Sequence, residues 1–175
     1  MMDVPVIDTP RLRLRPHRPA DLGDCLAMWS DPAVVRYIGG KPSTEQQTWS
    51  RILTYHGLWA LLEFGYWAIE ERESGLHAGD VGFADFKRAI APVMRDVPEA
   101  GWALAPQFHG RGYATEALTA ALAWADRTIA PPRIVCLMDA ANLASRRVAE
   151  KCGFRVFDRV PYGGVDTLLL ERRAS

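Results

Sequence analysis

Leucine and arginine alternate from Leu12 to Arg15, a period of two that predicts an opening strand with its leucines turned inward. The period then lengthens. Pro19 suits a first helical turn, and Leu22, Cys25, Leu26 and Trp29 recur at helical spacing until Asp31-Pro32 stops the segment. Ser43-Thr44-Glu45-Gln46 reads as a capping box with Ser43 as N-cap and Gln46 reaching back; Trp49, Ile52, Leu53 and His56 continue a helical stripe behind it. Tyr66–Ile69 and Asp80–Phe86 predict strands joined by a turn at Glu73-Ser74-Gly75. Lys87–Pro98 holds two prolines and no steady period, so it reads as a loop, and Gly101–Leu104 predicts a strand beginning at Glu99.

Downstream, Ala114, Ala117, Leu118, Ala121, Leu122 and Ala125 fall on one helical face whose small side chains permit close packing on a sheet. Pro131-Pro132 ends that connection, and the continuous apolar run Ile134–Met138 suits a central parallel strand covered on both faces. Strand, helix and strand from Glu99 to Met138 therefore form one right-handed crossover. Asn142 opens a second helix that closes at Lys151-Cys152-Gly153, with Gly153 as its left-handed terminator. Strands near Arg155–Val160 and Val165–Glu171 flank the turn Tyr162-Gly163-Gly164. No repeat or linker interrupts the chain, so one domain is expected over residues 1–175.

The most chemically informative stretch is Gln107-Phe108-His109-Gly110-Arg111-Gly112-Tyr113-Ala114, which follows a strand and opens directly into a helix. Its glycines allow close backbone approach, and the unpaired amides of the first helical turn favour a phosphate. A purely structural glycine turn is the alternative. Dinucleotide binding fits less well, because Pro106–His109 separates the strand from the glycines and Thr115 stands where a third glycine belongs. A Walker loop is excluded by the absence of Gly-Lys-Ser/Thr.

Composition narrows the classes. About half of the 175 residues are apolar, enough for a substantial core, and 21 basic side chains balance 21 acidic ones. No global field draws the protein to nucleic acid or an anionic membrane, and neither partner is expected. The start Met1-Met2-Asp3-Val4-Pro5 lacks the order of a signal peptide, and the apolar stretches Leu58–Leu62 and Ala117–Ala125 are too short to span a bilayer. Cys25, Cys136 and Cys152 are odd in number with no Cys-x-x-Cys pair, which favours a reduced, cytoplasmic setting and core-filling thiols. His17, His56 and His77 are scattered and no cluster has metal-ligand spacing, so no metal is expected.

Gln107-x-x-Gly110-x-Gly112-Tyr113-Ala114 resembles the acyl-CoA pyrophosphate loop of the GNAT N-acetyltransferases, and Asn142-x-x-Ser145-x-x-Val148-x-Glu150-Lys151-x-Gly153-Phe154 looks like the second signature of that superfamily. Thr9-Pro10-Arg11-Leu12-Arg13-Leu14-Arg15 is similar to the RimJ/RimL-like branch, which acetylates protein N-termini and other amines. The resemblance implies a mixed α/β fold: a mixed central sheet whose parallel strands splay apart, with helices on both faces. It implies acetyl-CoA as acyl donor, its pantetheine arm lying in the splay against Leu104 and Ala105, its pyrophosphate on the amides of Phe108–Ala114 beside Arg111. Asn142 contacts the arm, and Lys151 is a further contact. The acceptor enters between residues 31–43 and the turn Tyr162-Gly163-Gly164.

Acetylating an amine requires removal of a proton from an ammonium, polarisation of a thioester carbonyl and a proton for the departing thiolate. Glu99, at the start of the strand flanking the thioester, is the first candidate base and Asp85 the second, each with a solvated carboxylate as the plain alternative. A main-chain N–H near Leu104 serves the carbonyl. Many superfamily members carry a tyrosine where this chain has Ala149; Ser145 is the expected substitute acid, although a serine there also suits capping. His109, inside the loop, is expected to act through its backbone. Trp29, Tyr37, Trp102 and Tyr162 are candidates for the acceptor pocket. A protein or peptide N-terminal α-amine is the leading acceptor and a small amine the second; a non-catalytic acyl-CoA-binding module is the reading from another class. The sheet edges allow a homodimer without requiring one.

Overall fold

A computed structural model describes residues 3–90 and 94–174; residues 91–93 of the expected loop Lys87–Pro98 and the terminal Met1, Met2 and Ser175 lie outside them. Strands β1 (Ile7–Asp8), β2 (Leu12–Arg15), β3 (Tyr66–Glu71), β4 (His77–Ala84), β5 (Glu99–Leu104), β6 (Arg133–Asp139), β7 (Arg155–Tyr162) and β8 (Val165–Arg173) form one sheet in the order β1-β2-β3-β4-β5-β6-β8-β7. Every neighbouring pair is antiparallel except β5–β6, which is parallel and meets at one register position, Glu99 opposite Val135. The Val135 amide donates to the Pro98 carbonyl at 3.0 Å, after which the two strands diverge. The expected splay is therefore present. β6 is parallel to β5 alone, since its other neighbour, β8, runs antiparallel.

Between β2 and β3 lie α1 (Leu22–Trp29), α2 (Pro32–Val35) and α3 (Glu45–Leu62); α4 (Tyr113–Thr128) joins β5 to β6, and α5 (Leu143–Lys151) joins β6 to β7. Adjacent residues of a strand point to opposite faces. In β3, Tyr66 stacks on Tyr55 of α3 at 4.4 Å, whereas Trp67 meets Trp124 of α4 edge-on at 5.1 Å. Helices thus cover both faces. Leu12 and Leu14 are fully buried as the alternation requires, and Ala117, Leu118, Ala121, Leu122 and Ala125 form the buried face of α4.

Several local expectations shift. The capping box of α3 sits one residue later: the Thr44 hydroxyl accepts from the Gln47 amide and the Gln47 side chain accepts from the Thr44 amide. The buried stripe of α3 is Thr48, Ile52, Tyr55, Leu58 and Trp59, leaving Leu53 and His56 outside, because packing on β3 rather than local hydropathy sets the helix rotation. Asp31 does more than end α1, since its carboxylate caps α2 through the Ala33 amide. Strand β4 begins at His77 and ends at Ala84, with all eight residues buried.

Candidate active site

The Ala105 amide donates to the Ala78 carbonyl of β4 at 2.9 Å. Backbone groups alternate sides along a strand, so the N–H groups of Trp102 and Leu104 turn the other way, into the β5–β6 gap. This corrects the pairing expected for Ala105, whose amide is already used. The Leu104 carbonyl is also taken: the His109 ring donates Nε2–H to it at 2.8 Å. His109 therefore acts through its ring as well as its backbone, tying the end of β5 to the following loop.

Beyond the strand, the Phe108 amide donates to the Ala105 carbonyl and the His109 amide to the Pro106 carbonyl, closing a 3₁₀ turn. Those two amides cannot face an anion, and the Phe108 ring is buried. Among the described residues, no carbonyl accepts from the amides of Gly110, Arg111, Gly112, Tyr113 or Ala114. Gly110 and Gly112 take positive φ values of 75° and 77°, conformations that turn the chain sharply and that glycine adopts without steric cost. The amides left open to an anion are thus those of residues 110–114, a candidate cradle at the N-terminus of a 16-residue helix. Gln107 is exposed at its entrance.

The cradle is held from beneath. Arg11 donates its amide and Nε to the Glu116 carboxylate, and its Nη1 to the Arg111 carbonyl at 2.9 Å. Its guanidinium also lies over the Tyr113 ring at 4.6 Å. Tyr113 donates its hydroxyl to Glu71, which also accepts from Ser74 and Arg111, and these bonds hold the Glu71 carboxyl below the ordinary carboxylate range. Tyr113 and Arg111 are therefore buttresses as much as ligands. A diphosphate fits the open amides, and an amide-containing arm fits the edge of β5. Gly110, Arg111, Gly112, Tyr113 and Ala114 would hold the first, Leu104 and Trp102 the second.

The gap opens into a cavity of about 440 Å³. Glu99 and Gly101 of β5, Met138 and Asp139 of β6, and Asn142 and Ser145 of α5 form its floor. The Asn142 side chain accepts from the Ser145 amide at 3.1 Å, capping α5, while the Ser145 hydroxyl has no partner among the described residues. Glu99 is buried, and both its oxygens accept from Arg88, at 2.7 Å from Nε and 2.9 Å from Nη2. Although burial opposes it, Glu99 raises the Arg88 pKa, with Tyr162 adding to the effect. Burial and the Glu99 charge push the Tyr66 hydroxyl above its usual pKa. That hydroxyl lies where a Cβ on Gly101 would sit, 2.0 Å away.

Asp85 does not line this cavity. Its carboxylate accepts from the Lys87 amide at 3.0 Å and pairs with Lys87 Nζ at 2.6 Å, fastening the loop that follows β4. Lys151 is exposed at the far end of α5 from Asn142, a helix of nine residues and so about 13 Å of rise. Ala149 is fully buried, so no hydroxyl is offered at that position.

The histidines expected to be scattered are brought together. His17 donates Nε2–H to Asp80 Oδ1 at 2.8 Å, Trp29 donates to Oδ2 at 2.9 Å, and His77 Nε2 lies 3.4 Å from Oδ1 and 3.7 Å from the Cys25 sulfur. Cys25, His17 and Asp80 thus present close, buried donor atoms. Asp80 borders the cavity floor, and against the penalty of burial the two histidines hold its carboxyl far below the ordinary range. Tyr66, Arg88, Arg51 and Asp80 escaped sequence reading because strand alternation, helix rotation and an aperiodic loop carry no mark of which side chains share a cavity.

The acetyltransferase (GNAT) domain family matches residues 11–155. A protein of that family from Bordetella pertussis shares 36% identity at a TM-score of 0.85, covering 97% of this chain and 99% of its own. YoaA of Bacillus subtilis (strain 168), described as an uncharacterized N-acetyltransferase, is 28% identical over 152 residues, covering 86% of this chain and 83% of its own length. The fold is also shared, at 19% identity and a TM-score of 0.79, with RimL, a ribosomal L7/L12 alpha-N-protein acetyltransferase whose structure holds coenzyme A; 97% of this chain and 98% of that one are covered. Two thirds of the chain or more is matched in each case. The chain belongs to the GNAT family and is an acetyl-CoA-dependent N-acetyltransferase.

Proposed function

We propose that this enzyme acetylates a primary α-amine by direct attack in a ternary complex, the amine entering the aromatic-walled cavity between Tyr37 and Tyr162. The observation that carries this reading is one continuous cleft lined by β5 residues, Glu99 and Ser145, whose hydroxyl has no partner among the described residues. The N-terminus of a protein or peptide is the leading acceptor and a small amine the second. Acetyl-CoA supplies an acyl group activated as a thioester. Glu99 takes the amine's proton directly or through water; each of its oxygens keeps a lone pair after accepting from Arg88. The Leu104 N–H, turned into the gap, is the donor for the carbonyl oxygen. As nitrogen–carbon bonding replaces carbon–sulfur bonding, the proton shed by the nitrogen is relayed through Ser145, whose hydroxyl gives its own proton to the thiolate and takes one in return. A thiol pKa near about 8.5 means this last step needs little help.

The test is acetyl transfer at saturating amine. Glu99→Gln should lower kcat by about a hundredfold or more and Ser145→Ala by less, with stabilisation by CoA retained in both. Wild-type turnover in both variants would refute these assignments.

A further inference from the structure

Among the described residues, Arg51 is the cavity-lining cation for which no ion pair is formed, Arg88 being held by Glu99. Its guanidinium lies over the buried Trp29 ring at 3.8 Å, and its Nε is buried without a hydrogen-bond partner. Among the described residues, the carboxylates that line the cavity have other partners: Glu99 accepts two bonds from Arg88, Asp80 accepts from His17 and Trp29, and Asp139 accepts from the Ala141 amide. The Tyr55 hydroxyl, whose pKa burial pushes up, feels the Arg51 charge as an opposing influence, but it is a neutral partner. A guanidinium is a permanent cation with a planar fork of donors, and leaving one desolvated without a counter-charge is costly. Stacking on Trp29 restricts the plane of that fork in advance, which lowers the ordering cost of binding a planar anion.

We propose that Arg51 binds a carboxylate carried by the acceptor amine itself. The inference rests on the amine entering the cavity as described above, and it names the acceptor class: a compact amino acid or acidic N-terminus whose amine reaches Glu99 while its carboxylate meets Arg51. Both groups must fit within about 440 Å³, a volume suited to a small molecule or one chain terminus. The half-buried Tyr37 and Tyr162 leave apolar wall between the two charged ends.

The experiment compares L-phenylalanine with L-phenylalaninamide, and the peptide amide Asp-Ala-Ala-NH₂ with Ala-Ala-Ala-NH₂, as acceptors for wild type, Arg51→Gln and Arg51→Lys. Removing a carboxylate also changes the amine's own pKa, so the diagnostic quantity is the change, on mutating Arg51, in the preference for the compound of each pair that carries the carboxylate. Arg51→Gln should reduce that preference in kcat/KM at least tenfold, chiefly through KM, with Arg51→Lys between it and wild type. A larger effect on the phenylalanine pair assigns the carboxylate to a free amino acid, and a larger effect on the peptide pair to an acidic first residue. An unchanged preference in both pairs overturns the inference while leaving acetyl transfer intact. Calorimetric binding of the same four compounds gives a readout independent of turnover. If none releases thiol, direct attack on these amines fails, yet tenfold tighter binding of an acid than its amide, lost in Arg51→Gln, would still support the carboxylate site, and equal binding would sink it.

Discussion

Gly101→Ala is a severe test of the packing between β5 and Tyr66. The new Cβ would lie 2.0 Å from the Tyr66 hydroxyl oxygen and 3.1 Å from the ring carbon that bears it. Ordinary carbon–oxygen contact requires well over an ångström more, so the Tyr66 ring must swing aside or β5 must move. Tyr66 is wedged against Tyr55 with ring centroids 4.4 Å apart and interplanar angle 10°, so neither motion is free. Overpacking of this kind costs about 1–3 kcal/mol, which for a chain of this length lowers Tm by about 2–12 °C. Tyr66→Phe removes the oxygen and leaves the 3.1 Å contact, which a shift of a few tenths of an ångström relieves. The double variant Gly101→Ala/Tyr66→Phe should therefore recover most of the loss seen in Gly101→Ala. Denaturant unfolding of both singles and the double, read as a mutant cycle, measures the coupling. Additive losses, with no recovery in the double variant, would refute the placement of Tyr66 over Gly101.

Asp80→Asn leaves His17, Trp29 and His77 facing a neutral side chain, and breaking so buried an ion pair should cost about 3–5 kcal/mol by denaturant unfolding; a loss below about 1 kcal/mol would contradict the network. Asp80, though burial opposes it, raises the His77 pKa above its ordinary value, so that contribution is complete below about pH 6.5 and fades as pH rises through the higher folded value. Denaturant unfolding from pH 6 to 9 should show this decline in the wild type and a shallower one in His77→Phe; equal slopes would count against it. Asp80's own depressed carboxyl stabilises above about pH 4, and that contribution is lost as pH falls toward its folded value. Arg11→Ala removes the bond that holds the Arg111 carbonyl in the cradle, and should weaken calorimetric CoA binding about tenfold, the worth of one charge-assisted hydrogen bond; unchanged affinity would show that the cradle orders itself.

Much of this was legible because local rules govern it. The small-residue face of α4, the left-handed Gly153 and the Asn142 cap follow from periodicity and backbone chemistry alone. The two linked motifs pointed to the family because their order and spacing across β6 are fixed by local chain geometry. What escaped were long-range choices. Thr44 rather than Ser43 caps α3, since both residues can cap and the helix rotation that buries Ile52, Tyr55 and Trp59 selects the register. Asp85 and Glu99 look alike in sequence, yet Lys87 ties one into a loop and Arg88 holds the other in the cavity. His17 and His77 are 60 positions apart and meet only because α1 and β4 pack on each other around Asp80. Arg51 carries no motif, and its role depends on which carboxylates the fold leaves over.

Direct attack in a ternary complex is tested most directly by initial rates with acetyl-CoA and the best acceptor both varied. Cys136 is fully buried and Cys152 partly so, and burial pushes both thiols above their ordinary pKa, so neither is poised to carry an acetyl group. Double-reciprocal lines should intersect, with no thiol released before amine is added. Parallel lines accompanied by a burst of thiol from acetyl-CoA alone would contradict the account, placing an acetyl-enzyme where we place a direct transfer.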